Sequence, residues 1–490
     1  MAQLLRRHVG RSAQHVTQAP TSNLELMMDT LTQTLLSEIR QHLGGHTAPE
    51  GSLTVSGEGA LSSAFPVTEL ATACWSAAGL ACAQLLKHNQ ADAPRVFVDR
   101  RLASLWFGWT LRPLGWTLPA AWDALAGDYA TCDGWIRLHT NAPHHRRAVE
   151  HVLGPHQDKN ALAQKVLTWK KGDLEQAVIE AGGCAAEMRS TEAWRQHVQG
   201  KSVALEPLIH QAQQAEAPLP NWDLPPARPL HGVRILDLTR IIAGPVATRF
   251  LAGLGADVLR IDPYGWDEPG VEHDVILGKR CARLNLTNAH DRHTFEHLLK
   301  NADVIVHGYR AGALEKLGYG AEQRRALSPG LIDVCLNAYG WTGPWRGRRG
   351  FDSLVQMSCG LAESGMAWKA AAVPVPVPLP VQALDHATGY LMAAAVLHGM
   401  RQRKQQGTGY SARLSLARTA QLLLDHPYPQ QHSVTPLAPV ETSDENPETE
   451  LTHWGAAQRL IAPLRLNGTA LLWALPATTL GSSQPEWLRR

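Results

Sequence analysis

The stretch VRILDLTRIIAGPVATRFLAGLGADVLRID, residues 233–262, decides the fold class. VRILDL (233–238) is short, apolar and β-branched, which predicts a strand. A turn at Ala243-Gly244-Pro245 follows, then a helix over about 246–254 and a second strand within LGADVLRID (254–262). The alternation continues with a helix near 289–300, DVIVHG (303–308) and LIDVCLNAYG (331–340). Repeated strand–helix–strand units predict a parallel sheet flanked by helices, with ligands at the carboxyl ends of its strands.

The ligand is not read as a dinucleotide. Asp262 stands where a ribose-binding acid sits in dinucleotide folds, but IIAGPVAT (241–248) has one glycine and then a proline without an N–H. A pyrophosphate needs the closer backbone approach of a G-x-G-x-x-G turn. A phosphorylated ligand still suits the region, because Arg240, Arg260, Lys279, Arg280, Arg310 and Lys316 fall at strand ends and turns. The competing reading of each is a solvated surface charge.

Outside this stretch, composition bounds the answer. With 490 residues, 44% hydrophobic and 18% charged, the chain has room for two or three ordinary domains. A net charge of +2 gives no reason to expect nucleic acid. The seven cysteines are scattered without a C-x-x-C pair, which predicts neither disulfides nor a metal site and fits a reducing, cytoplasmic setting. AAVPVPVPLPVQAL (371–384) is apolar but broken by four prolines, so no membrane span is expected. Residues 1–24 carry Arg6, Arg7 and Arg11 with no acid before Glu25; they resemble a transit peptide loosely and are read as a frayed extension.

Compositional breaks divide the chain. Residues 43–65 and 434–450 read as loops, and the segment holding EAPLPNWDLPPARPLH, with five prolines, as an interdomain linker. Between them a helix is predicted over about 67–87, a strand in RVFVD (95–99), an Asp-Gly turn and strand in TCDGWIRLHT (131–140), and charged helices to about residue 212. The expected organisation is an N-terminal extension (1–54), a helix and strand region (55–122), a small α+β domain (123–214), the linker (215–231), a large domain (232–430) and a C-terminal loop and tail (431–490). In that tail Leu471, Leu472, Trp473 and Leu475 are expected to pack on a domain.

Asp385, in Asp385-His-Ala-Thr-Gly389, precedes the apolar run Tyr390–Leu397. On these residues alone it reads as a helix N-cap. The wider pattern is more specific. Residues 232–262, GKRCARLNL (278–286), NADVIVHGYRAGALEKLGYG (301–320), LSPGLIDVCLNAYGWTGPW (327–345), GFDSLVQMSCG (350–360) and ALDHATGYLMAAAVLHGMRQRKQQGTGYSARLSL (383–416) together resemble the family III CoA-transferases, the CaiB/BaiF type.

The resemblance implies a Rossmann-like α/β large domain plus a smaller α+β domain, and an enzyme moving CoA between an acyl-CoA and a carboxylic acid. It implies that Asp385, in a D-x-x-T-G segment, is the nucleophile, passing through a mixed anhydride and an aspartyl-CoA thioester. A helix dipole favours the ionised carboxylate that attacks, and N–H groups near Gly389 or the Ala243-Gly244 turn suit the oxyanion. It carries over Ile241, Ile242 and Ala243 as the loop along the CoA arm, and Arg260, Lys279, Gly308, Tyr309, Arg310 and Lys316 as CoA contacts. The coenzyme A thioester is substrate; no permanently bound cofactor or metal is implied. His386 reads as an ordinary helix residue.

Some positions depart from the pattern. Ile242 stands where family members can carry glutamine, Gly308 where they can carry asparagine, and Ala311 where proline is usual. The small-domain-like segment precedes the large domain, and its glycine-rich closing loop is missing. Family dimers interlock, so a homodimer is one assembly implied; a site complete in one subunit is the other that this order allows. Two further readings remain open. Related α-methylacyl-CoA racemases use a G-H-D histidine, which here is Gly350-Phe351-Asp352, and a non-catalytic CoA-ester-binding protein is the third.

Overall fold

The computed structural model describes residues 23–45, 51–87, 92–428 and 434–489, with side chains from Thr30 onward. The expected frayed segment lies outside the described residues up to position 22. Seven strands form the main sheet: β1 (His210–Glu216), β2 (Arg234–Leu238), β3 (Asp257–Asp262), β4 (Arg280–Arg283), β5 (Val304–His307), β6 (Ile332–Asn337) and β7 (Thr408–Ser415). Their order across the sheet is β4-β3-β2-β5-β6-β7-β1. Every neighbouring pair is parallel except β7 with β1, which is antiparallel. The central strands are buried on both faces, as a helix-covered parallel sheet requires, and all four residues of β5 are buried.

Strand order reverses between β2 and β5, so the loops after Leu238 and His307 diverge and open a crevice at their carboxyl ends. The helix Ala243–Gly253 starts from the first loop. The helix Ala383–Gln406 begins beside it and runs apolar for most of its length because other helices enclose it. One of these is Val67–Leu86, buried along nearly its whole surface. Trp75 brings its ring centroid to 4.2 Å from that of Tyr390, joining this helix to the Asp385 helix. No helix among the described residues is long and apolar enough to cross a membrane.

Among the described residues, three small sheets accompany the main one. Leu53–Ser56 pairs parallel with Val96–Asp99, which pairs antiparallel with Leu464–Leu466. Leu111–Pro113 joins Gly455–Arg459 and Glu450–Thr452. Gly127–Thr131, Gly134–Leu138 and Ala185–Glu187 form an antiparallel sheet backed by helices that include Pro143–Leu153 and Lys171–Glu180.

Several expectations are corrected. Residues 43–65 are not all loop, since Leu53–Ser56 gains a partner strand. The helices do not continue to 212, because His210–Glu216 is an edge strand of the main sheet. Residues 434–450 are mostly loop, as expected, anchored where Arg101 pairs with Asp444 and Arg112 with Glu445 at 2.6 Å. Of the tail, Leu471 and Trp473 pack on the helix end at Gly253, whereas Leu472 and Leu475 stay exposed. Trp473 stacks on Trp106 with centroids 5.3 Å apart.

Candidate active site

The site begins with an unusual turn. Ile241 adopts φ +67, a conformation that a β-branched residue rarely takes without external support. The support is a relay of buried charges. Arg260 on β3 holds Asp262 at 2.8 Å and Glu268 at 2.8 Å, and the other oxygen of Glu268 accepts the Ile241 N–H at 2.8 Å. Lys279 braces the far side, donating to Asp237 at 3.1 Å and to the Pro245 carbonyl at 2.8 Å. Arg260 and Lys279 are therefore fully enclosed beneath the turn and line neither cavity described below. Burial pushes the Lys279 ammonium down to about 8, against the pull of Asp237.

Asp385 reaches this turn because two helices meet closely. A Cβ on Gly389 would stand 2.5 Å from the Ala243 carbonyl and 2.8 Å from Val246 Cβ, so only glycine permits the approach. Thr388 Oγ1 lies 2.7 Å from Thr419 Oγ1 and ties the same turn to the helix Leu416–Asp425. Asp385 sits in the first turn of a helix that begins at Ala383 with Gln382 as its cap, so it is not the N-cap. Gly389 is helical and its open side is filled by Ala243 and Val246, whereas Ala243 and Gly244 open the first turn of their own helix.

A second carboxyl stands beside the first. Asp352 accepts the Asp385 backbone N–H at 2.9 Å and the Gln356 amide. Burial raises both carboxyls above the ordinary range. Asp385 rises further because Asp352 repels its charge, whereas Asp352 is eased by the N–H groups it accepts. The expected gain from the helix dipole is thus outweighed by burial and a like charge.

Two cavities meet at Asp385. The smaller, about 490 Å³, lies at the strand ends over the switch point. Ile241, Ala243, Gly308, Tyr309 and Arg310 line it, together with Arg240, Arg346 and Arg349. Arg240 lies over the ring of Trp266 at 4.7 Å and that of Tyr309 at 5.4 Å. The larger cavity, about 790 Å³, is bounded by Ile241, Ile242, Trp266, Phe351 and Asp385, and by Phe107, Trp109, Trp122, His139 and His144 from the chain's first third. Asp385 and Ile241 border both cavities. Lys316 is exposed on the next helix and borders neither.

The sequence reading missed three sets of residues. Arg346 and Arg349 form a basic run directly before Gly350, a visible signal. Trp109, Trp122 and His139 carried none, since they precede the linker. Asp352 was noticed only as the neighbour of Phe351. Phe351 itself stacks on His139 with centroids 3.8 Å apart. Burial pushes His139 and His386 each down to about 3, so both are neutral.

A mostly parallel sheet of this order, flanked by helices, with a basic crevice at its switch point bordered by Asp385, defines an α/β domain of the doubly wound kind. Residues 230–454 match the model of CoA-transferase family III. An acyl-CoA transferase of Gibberella moniliformis is 31% identical over 278 residues, covering 54% of this chain and 48% of that protein. The acetyl-coenzyme A transferase nodX of Hypoxylon pulicicidum is 36% identical over 205 residues, 40% of this chain and 34% of its own. The mouse (Mus musculus) succinyl-CoA:glutarate CoA-transferase is 32% identical over 203 residues, 39% and 46% respectively. The chain thus spans about half the length, or less, of these relatives.

Proposed function

We propose that this chain transfers CoA between an acyl-CoA and a carboxylic acid, with Asp385 as covalent nucleophile. The observation that carries the reading is the place of Asp385, bordering at once a basic cavity and an aromatic one. The CoA arm lies in the basic cavity along Ile241, Ala243 and Gly308–Arg310, with Arg240, Arg346 and Arg349 available to its phosphates. The acyl group lies in the aromatic one.

The ionised Asp385 carboxylate attacks the thioester carbonyl; the C–S bond breaks and CoA leaves as thiolate. A mixed anhydride of Asp385 and the acyl group results. The thiolate then attacks the Asp385 carbonyl carbon, displacing the donor carboxylate and leaving an aspartyl-CoA thioester. The acceptor carboxylate enters by the reverse sequence. The N-terminal turn of the Ala243 helix stands ready for the oxyanion in each addition.

Racemisation is poorly supported by the same site. Phe351 cannot carry a proton, and the buried His139 and His386, each near 3, are far too weak as bases for a thioester α-proton. Incubation with acyl-CoAs followed by hydroxylamine and peptide mass spectrometry tests the proposal. A hydroxamate at Asp385, absent in Asp385→Ala, is the expected result; α-deuterium uptake from heavy water without any label would reverse the assignment.

A further inference from the structure

We propose that the acyl group handled at Asp385 belongs to a monocarboxylic acid with a bulky uncharged apolar body, of the arylalkanoic kind. The inference rests on the transfer reading above and adds its substrate class. Five rings, Phe107, Trp109, Trp122, Trp266 and Phe351, border the 790 Å³ cavity. Trp109 and Trp122 are each 38% exposed, an open apolar surface that a ligand of matching character covers. Burial of apolar area against these rings favours a large, flat acyl group there over acetyl.

The charges of the cavity exclude the other common acyl class. Five carboxyl side chains border it, Asp123, Asp267, Glu268, Asp352 and Asp385, against one guanidinium, Arg147. Three of the acids already hold arginines: Asp123 with Arg146 at 3.0 Å, Asp267 with Arg283 at 2.5 Å and Glu268 with Arg260 at 2.8 Å. Arg147 is exposed at the rim. A second carboxylate on the acyl chain therefore meets acids whose arginines are already engaged and finds no unpaired buried cation among the described residues lining the cavity, so desolvating it there is unfavourable. Phe107, Trp109 and Trp122 precede residues 230–454, so three of the five rings come from outside the family-matched segment.

The test compares 3-phenylpropionyl-CoA, succinyl-CoA and acetyl-CoA as donors to the full chain, reading the rate of hydroxamate formation at Asp385. The expected result is labelling from 3-phenylpropionyl-CoA at least tenfold faster than from succinyl-CoA. In Trp109→Arg, which adds a cation at a position 38% exposed and so spares the core, that ratio falls at least tenfold. Equal or faster labelling from succinyl-CoA overturns the substrate class, as does label from acetyl-CoA alone; both leave the transfer reading standing. A ratio unmoved by Trp109→Arg also overturns it, because the acyl group then lies elsewhere. Absence of label from all three donors overturns the transfer reading along with this one.

Discussion

Asp385 and Asp352 share one buried corner, and on the proposed mechanism the proton they compete for sets when Asp385 can attack. Attack requires the ionised Asp385, whose carboxyl is held well above the usual carboxylate range by burial and then by Asp352. The labelling rate is therefore expected to climb with pH beyond the ordinary aspartate value of about 3.9. In Asp352→Asn the like charge is gone while one acceptor for the Asp385 N–H remains. Its rising limb should move toward lower pH by about one unit or more, read from rates over a pH series. Stability runs in the opposite direction. An acid with a raised folded value holds its proton more tightly when folded, so its contribution is fully present below the unfolded value and lost as pH rises through the folded one. Asp385→Asn is thus expected to raise the urea midpoint at pH 8 by the equivalent of about 1 kcal/mol, and to leave it nearly unchanged near pH 3. Asp385 was legible because its neighbours Thr388 and Gly389 stand in a fixed local pattern. Asp352 was not legible as its partner, since 33 residues separate them and only the packed helices bring them together.

Between elements, the decisive contact is the crossing of the Ala383–Gln406 and Ala243–Gly253 helices at Gly389. Two effects of Gly389→Ala oppose each other. Alanine in a helix interior ordinarily gains about 0.5–1 kcal/mol over glycine. Here its Cβ meets a backbone carbonyl at 2.5 Å, and overpacking costs about 1–3 kcal/mol. The steric term wins, so the urea midpoint should fall, and the displaced helix should slow Asp385 labelling at least tenfold. The strands β2, β3, β5 and β6 were readable because their apolar, β-branched runs are the mark of a doubly covered sheet. The edge strand β1 was not. HQAQQAE is polar and mostly exposed, and nothing in its own residues favours a strand; pairing with β7 supplies the hydrogen bonds that make it one. Arg260 and Lys279 were legible as cations near strand ends, but their enclosure beneath the Ile241 turn depends on Glu268 and Asp237 closing over them.

Across the whole molecule, the family-matched segment does not stand apart from what precedes and follows it. Asp274, within that segment, accepts the Thr110 N–H at 3.0 Å from the chain's first third. It also pairs with Arg249 on the Ala243–Gly253 helix and, at 3.3 Å, with Arg459 just beyond residue 454. Burial alone would raise its carboxyl; Arg249 and Arg459 outweigh burial and hold it below the ordinary range. Removing the Asp274 charge leaves the buried Arg249 uncompensated, while Arg459 keeps Glu450 at 2.5 Å, and breaking such a buried pair costs about 3–5 kcal/mol. Asp274→Asn keeps the shape and deletes the charge, so a large fall in urea midpoint at pH 7 isolates the electrostatic part. Because the folded value is depressed, this stabilisation is present above the unfolded carboxylate range and is lost as pH falls through the folded one. The difference between native chain and variant should accordingly shrink on acidification, the reverse of the trend at Asp385. Thr110 follows Phe107 and Trp109, which border the larger cavity, so loosening the cluster frees the aromatic wall as well. Measured below the unfolding transition, the variant is expected to lose its preference for bulky acyl donors before it loses label at Asp385. Equal loss of both would mean that the wall is held by contacts other than this charge cluster.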